Sequence, residues 1–495
     1  MANELSFGKV LLGKSATEIV ADAPEKQGPF HLLILGDFTG QKYHQSPSET
    51  PWHQRKPISV DRDNFDELPS SLNVHLDNLI AMPDGTSASL TLEEFEDFEP
   101  DRLFQRLPLF DNLKSLRRRL QNPKQYEKAA AEVLSWLKPK ETPAETPTNE
   151  SAPPDDNPLS TEGLFDQVLS GSEAASTERA DDWQSFIQQV LTESNIQKVD
   201  PRADDLVALV DRSIEEAMRE ILHAPPLKEL ESLWMGFHLL TRRLETDSRL
   251  KVFILNVTEE EFRADLSVEE LQHSHLHQLL HTATETPGAV RWSLTAPMYS
   301  LDTGADDVSI LGRFANVVAA SYVAGIVGVN ATKKHWLSNE AEENSAWQQL
   351  RSLKGSPAVA AVWPRYLQRL PYGKKTRPTD QFDFEEISGY HHEQLAWGNS
   401  AWLACLELAG AFSKQGWSMN SGDIFEVDKL PLYYVDYEDV EVQPCGEYLL
   451  TDSELEKIIA TGITPVVSFK NQDRIQLRGI QSVAGSKLRG RWNSE

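Results

Sequence analysis

The alternation of apolar and polar positions divides the chain into strand-like and helix-like segments. Residues 30–40 read FHLLILGDFTG, an apolar run that breaks at Gly36-Asp37 and again at Gly40. Such a run predicts a buried strand closed by a glycine turn. NVHLDNLIAM and TSASLTLEEF alternate as half-buried strands do, on either side of a PDG turn. Over FEPDRLFQRLPLFDNLKSLRRRLQNP the period lengthens: Leu103, Leu107, Phe110, Leu113, Leu116 and Leu120 share one stripe, which predicts a helix. Consecutive arginines fan around a helix, so Arg117, Arg118 and Arg119 predict a solvated face with stems over apolar surface.

The later part opens with two amphipathic helices. Leu206, Val210, Ile214, Met218 and Ile221 recur at three to four residues, and Pro225-Pro226 ends that helix. Leu230, Trp234, Phe237 and Leu240 continue the period. KVFILNV is a buried strand, followed by a helix start at Thr258 with Glu261 three residues on, a capping box. AVRWSLTAP, VAGIVGV, AVAAVWP and TPVVSF supply further strands. The longest apolar stretch, residues 314–329, is interrupted by Asn316 and Ser321 and reads as a helix running into a strand, too short to span a membrane. Helices alternating with buried strands imply an α/β fold of mixed sheets with packed helices, joined by crossovers.

One segment has neither period. KPKETPAETPTNESAPPDDNPLSTEG, residues 138–163, holds six prolines and six acids, with Leu159 as its one large apolar residue. It cannot bury enough surface to offset its ordering entropy and reads as a flexible acidic linker. A second polar stretch at residues 170–182 isolates LFDQVLS between them. The expected organisation is an α/β region over 1–137, a linker with short helices over 138–204, and an α/β domain over 205–495.

Composition narrows the class. With 495 residues, 40% of them hydrophobic, the chain is long enough for several domains, and a formal charge of -28 argues against binding nucleic acid. Cys405 and Cys445 are the only cysteines, which gives no disulfide framework and fits a reducing compartment. The first residues show no apolar signal region. A cytoplasmic protein without direct membrane insertion is expected.

Four stretches carry residue types that could support chemistry. A phosphate loop needs GxxxxGK followed by Ser or Thr. Gly36 and Gly40 are four apart, Gln41 precedes Lys42, and Tyr43 stands where the hydroxyl is wanted; Phe38 takes the place of the second glycine of a dinucleotide fingerprint. His273, His277 and His281 fall at i, i+4 and i+8, one face of a predicted helix with His275 to one side, but no HExxH pattern accompanies them and Glu269 and Glu270 are not marked as partners. A surface helix is the preferred reading. Glu385-Glu386 precede His391-His392, with nothing in the spacing that pairs carboxylate and imidazole. Finally, PRYLQRLPYGKKTRP places Arg365, Arg369, Lys374, Lys375 and Arg377 beside Tyr366 and Tyr372. It can receive an acidic partner surface, a copy of the chain included, or be a solvated loop with internal ion pairs. No catalytic residue, metal or cofactor is expected.

These segments, taken in order, resemble a known family. PFHLLILGDFTG, RKPISVDRDNFDEL and LTLEEFEDFEPDRLFQRLPLFDNLKSLRRRL resemble the small sheath subunit of the bacterial type VI secretion system (TssB/VipA). EILHAPPLKELESLWMGFHLL, LKVFILNVTEEEFRADL, PRYLQRLPYG, FDFEE, LAWGNSAWLACLELAGAFSKQGW and LTDSELEKIIATGITPVVSFKNQD resemble the large subunit (TssC/VipB). The resemblance implies a non-enzymatic protein whose two subunit-like halves pack as one protomer, here tethered in one chain at fixed stoichiometry. Implied partners are other copies or sheath subunits, an inner tube, baseplate proteins and a AAA+ disassembly ATPase. It makes the motif residues structural: Gly36, Asp37, Phe38 and Gly40 at the strand end, with Asp37 capping an amide; Asp63, Asn64 and Phe65; Trp234 and Gly236; Pro364, Arg365 and Arg369; a tight turn at Pro371, Tyr372 and Gly373; Trp397, Gly398 and Asn399; and Gly416 with Trp417. Trp234, Trp397 and Trp417 are expected to anchor the core. The family's large subunits continue past GIQSVAGSKLRGRWNSE into further strands, and SFGKVLL only partly replaces a PPRV-type strand. A non-polymerising accessory (baseplate, cap or regulatory adaptor) therefore stands beside the sheath protomer as the alternative, with an enzyme of unrecognised phosphate or metal site as a remote third.

Overall fold

The structure is a computed structural model that describes residues 5–10, 28–46, 48, 50–81, 87–136, 203–285, 291–337, 345–389, 391–435 and 441–493. The acidic linker, the polar stretch at 170–182, LFDQVLS and the PDG turn lie outside the described residues.

The N-terminal half contributes strands β1 (Phe30–Gly36), β2 (Ile58–Val60), β3 (Val74–Ala81) and β4 (Ser87–Leu92), then helices α1 (Pro100–Arg106), α2 (Pro108–Gln121) and α3 (Tyr126–Trp136). The single helix expected through residues 103–120 is two. Pro108 pushes Leu107 to an extended conformation (φ -82, ψ 124) and starts a new helix at its first position. The six stripe residues are nonetheless all buried.

The C-terminal half begins with α4 (Ala203–His223) and α5 (Pro225–Arg243), split where Pro225-Pro226 lack the amides a continuing helix needs. There follow β5 (Leu250–Asn256), α6 (Glu259–Leu266), α7 (His275–Glu285), β6 (Leu294–Pro297), β7 (Ser300–Leu301), α8 (Ala305–Ala320), β8 (Ala324–Val329), α9 (Ser345–Arg351), β9 (Val359–Trp363), β10 (Tyr366–Arg369) and β11 (Ala396–Gly398). The half closes with α10 (Ala401–Gln415), β12 (Ile424–Val427), β13 (Tyr433–Val435), β14 (Glu441–Gln443), α11 (Asp452–Ala460), β15 (Ile463–Ser468) and β16 (Ile475–Arg478). Thr258 and Glu261 cap α6 reciprocally, Glu261 N–H to Thr258 Oγ1 at 3.1 Å and Thr258 N–H to Glu261 Oε2 at 3.0 Å.

Among the described residues the main sheet has ten strands in the order β12-β16-β15-β9-β8-β6-β1-β5-β2, with β7 paired to β8. From β15 to β5 all pairs are parallel; β2, β16 and β12 add antiparallel edges. The first half thus supplies one interior strand, β1, and one edge strand, β2, of a sheet whose other strands come from the second half. β1 runs parallel to β5 from Phe30↔Leu250 to Gly36↔Asn256 and to β6 from Leu32↔Leu294 to Leu35↔Pro297. Phe30, Leu32 and Ile34 enter one core, shared with α2, α4, α5 and α10; Leu33 and Leu35 enter the other, beneath α6, α7 and α8. A parallel strand covered on both faces has no solvent side, which is why its sequence runs apolar without alternation. His31 is buried too: its ring donates to the Arg291 carbonyl (3.1 Å), and burial holds its pKa below the usual range. The stretch at 314–329 is the end of α8 and strand β8, and among the described residues no helix is long and apolar enough to cross a membrane.

Candidate functional site: the junction of the two halves

The end of β1 shows what the glycine turn holds. The Asp37 carboxylate accepts the amides of Gln41 and Lys42, both at 2.8 Å, and the Thr39 hydroxyl at 3.3 Å. The backbone donors that a phosphate would need are therefore occupied by the chain's own anion. Burial raises the Asp37 pKa, and these hydrogen bonds hold it back. Gly40 takes the left-handed conformation (φ 77), and a Cβ there would lie 2.9 Å from the His75 carbonyl oxygen. The cleft beyond, about 310 Å³ and lined by Gly36, Tyr299, Asn399 and Trp402 among others, is where open α/β sheets bind ligands. Its cations are engaged: Lys42 with Glu229 (3.2 Å), Lys228 with the Glu393 carbonyl (2.6 Å) and Arg365 bidentately with Glu447 (3.1 and 2.7 Å).

The turn docks against α5. Trp234 is fully buried and donates its indole N–H to the Phe38 carbonyl (3.0 Å), while the Phe38 ring meets Trp234 and Phe237 edge-on. Phe65 joins this aromatic group at 5.4 Å from Phe237. It is placed by a turn in which Asp61 accepts the amides of Asp63 and Asn64, and Asn64 reaches back to the Ser59 carbonyl (2.9 Å). The Asp63 side chain itself is exposed. Gly236 lets α5 approach the Trp402 indole of α10. Arg55, just before β2, forks onto Glu261 at 2.8 and 2.7 Å and also donates to the Asn256 carbonyl, so the cap of α6 is read by the first half.

The basic segment provides the third contact. Arg369 is buried between two buried carboxylates, Glu231 of α5 (2.7 and 3.3 Å) and Glu386 (2.7 and 3.0 Å). Glu386 also accepts the Tyr372 amide at 2.8 Å. Burial alone would push the Glu386 pKa up, but the Arg369 charge and these hydrogen bonds, with His223 at 3.7 Å, bring it down to about 2. Arg369 and Arg377 flank the Tyr372 ring at 4.5 and 4.6 Å. Arg377 then reaches Glu99 in the first half (3.0 Å), the amides of Asp380 and Gln381 bind Asp101, and Phe382 stacks on Phe104 at 4.6 Å. The acidic surface met by this segment is therefore in the same chain.

Several expectations change. The turn runs from Gly373 to Thr376, with Thr376 N–H on the Gly373 carbonyl (3.1 Å), because Pro371 and Tyr372 continue the extended path that brings the Tyr372 amide to Glu386. His273 lies in a short turn before α7, so it does not share a helix with His277 and His281; among the described residues no cluster of three or more ligating side chains fits a metal. Glu386 faces Arg369 while His392 lies 3.4 Å from Glu393, so the carboxylate–imidazole pair is not assembled. Trp397 is buried, with its indole on the His392 carbonyl (2.8 Å), beside Gly398; Asn399 caps α10 by accepting the Ala401 amide (2.9 Å). The Pro364 carbonyl accepts the Ser400 hydroxyl, and Gly416 ends α10 at φ 60. Trp417 is only half-buried, packed under Arg491 and donating to the Gly28 carbonyl (2.9 Å), where it holds the approach to β1. Nothing in the sequence singles out Glu231, Glu99 or Asp101 as partners, and the capping box at Glu261 gives no sign of its second partner, Arg55. Glu231 does leave a trace, as an acid beside the apolar stripe of α5.

Comparison with known proteins agrees with this geometry. Residues 204–484 match the family described as EvpB/VC_A0108, tail sheath N-terminal domain. Residues 16–138 match that described as type VI secretion system, VipA, VC_A0107 or Hcp2. The type VI secretion system sheath protein TssC1 of Pseudomonas aeruginosa is 28% identical over 305 residues, which cover 57% of this chain and 61% of that protein. The match thus spans less than two thirds of the relative's length. With one half completing the sheet of the other and both halves matched in order, the chain belongs to the type VI secretion tail sheath family, as a VipA-like half joined to a VipB-like half.

Proposed function

We propose that the chain is a non-catalytic structural component of a type VI contractile injection apparatus, a fused sheath-like protomer acting in the cytoplasm. The observation that carries this reading is β1: a strand from the small-subunit-like half lies between β5 and β6 of the large-subunit-like half, so the halves make one building block. In this reading residues 1–137 and 205–495 are the two packed parts and 138–204 the tether, the motif residues serve packing, and the partners are further copies or sheath subunits, with the tube, baseplate and a AAA+ ATPase as contacts of the assembled particle. Negative-stain microscopy of the purified chain tests it. Ordered rods or tubes are expected. Discrete particles that stay discrete at high concentration and in the presence of tube protein would assign it instead to the non-polymerising accessories.

A further inference from the structure

Residues 5–10, LSFGKV, run along one face of α8. Lys9 pairs with Glu270 as a parallel bridge: its amide donates to the Glu269 carbonyl (2.8 Å), and the Leu271 amide donates to the Lys9 carbonyl (2.9 Å). The face of α8 beneath is built for this path: Gly312 and Arg313 follow Ser309 by three and four residues, and Asn316 follows them by four and three, so all four share one face. Ser309 donates to the Ser6 carbonyl (2.8 Å) and Asn316 to the Phe7 carbonyl (3.1 Å). Arg313 is buried, its Nη1 fixed by the carbonyls of Leu266 (3.0 Å) and Val268 (2.8 Å), and it directs Nη2 to the Ser6 hydroxyl (3.3 Å). The Leu5 amide ends on the Gln349 side chain at 3.1 Å.

Side-chain space is as selective as the polar contacts. A Cβ on Gly312 would sit 2.1 Å from the Phe7 ring, so the aromatic lies where only glycine leaves room. Gly8 has φ +64, and a Cβ there would lie 2.9 Å from Leu271. We propose that this groove is a peptide-docking site in its own right, reading a Ser-Phe-Gly segment with its glycine in the left-handed conformation, and that residues 5–10 occupy it as a detachable intramolecular ligand. A bridge to a loop plus an aromatic in a dedicated gap is strand-addition recognition on a small scale. Every named contact is to the second half, and the segment is exposed or half-buried throughout, as expected of an element that opens well below the global stability.

Two measurements on the full chain test this. The first titrates the peptide acetyl-LSFGKV, fluorescently labelled at its C-terminus, and reads polarisation. The Phe7→Ala chain, its own segment weakened, should bind about tenfold more tightly than the unmodified chain, where a tethered competitor is present at an effective concentration near millimolar. Gly312→Val added to Phe7→Ala should remove that binding. Equal binding by both variants, or none by a folded Phe7→Ala chain, overturns the proposal. In the unmodified chain the block should be independent of dilution; a block that fades on dilution makes a second copy the occupant and overturns the intramolecular assignment. The second measurement is amide hydrogen exchange of the unmodified chain, which involves no variant. Lys9 and Leu271 should exchange much faster than the β1 amides, whereas exchange at the β1 rate means the segment does not detach and overturns the proposal.

Discussion

Ile34→Asp is expected to abolish cooperative folding of both halves at once. Ile34 is fully buried, faces the core shared by the two halves, and pairs with Ile254 on one side and Ala296 on the other. An aspartate there would lie among the apolar side chains of that core, and burying an unpaired charge costs at least several kcal/mol, comparable with the whole stability of a domain at roughly 5–15 kcal/mol. Ile34→Val, which keeps shape and polarity, should cost only about 0.5–1.5 kcal/mol. Urea unfolding followed by circular dichroism separates the cases. An Ile34→Asp chain that unfolds with an unchanged midpoint would show that β1 is not an interior strand.

The second large effect is at Arg369. Arg369→Met leaves Glu231 and Glu386 buried without their cation, and removing one partner of a buried ion pair costs about 3–5 kcal/mol. Adding Glu231→Gln and Glu386→Gln should recover much of the loss, because the uncompensated charge then disappears. The pH dependence has a definite sign. With a folded pKa of about 2 against an ordinary value of 4.5, the Glu386 contribution is complete above 4.5 and fades as pH falls toward 2. Without Arg369, burial dominates and the carboxyl pKa rises, so acidification relieves the variant while it weakens the parent. The stability gap, measured from urea midpoints at pH 7 and pH 4, should narrow at pH 4. A gap that widens contradicts this account of the cluster.

What could be read in the sequence depended on how far apart the interacting residues are. The buried character of β1 is local, since seven successive residues without a polar face leave a strand covered on both sides as the economical solution. That its neighbours would be β5 and β6, more than two hundred residues later, has no local sign; it became legible only through the order of motifs. The basic segment shows the same limit. Its charges were visible, but Glu231, Glu447 and Glu99, which receive them, are 138, 82 and 278 residues away. The break at Pro108 lay in plain view, yet the leucine stripe continues across it because both helices pack on the same core. The Ser-Phe-Gly segment has too few residues to show any period, and its meaning depends on the missing side chain of Gly312.

Two halves separated in sequence fold as one body, with β1 as the strand they share. Cutting the chain tests it most directly. A specific protease site placed within residues 138–202 breaks the covalent tether while leaving every described contact between the halves intact. After cleavage, the two fragments should elute together from a sizing column at the volume of the uncut protein and unfold in a single transition, because β1, the Arg55–Glu261 fork and the Arg377–Glu99 pair still hold them. A folded N-terminal fragment that elutes by itself, with a separate transition for the remainder, would contradict the account.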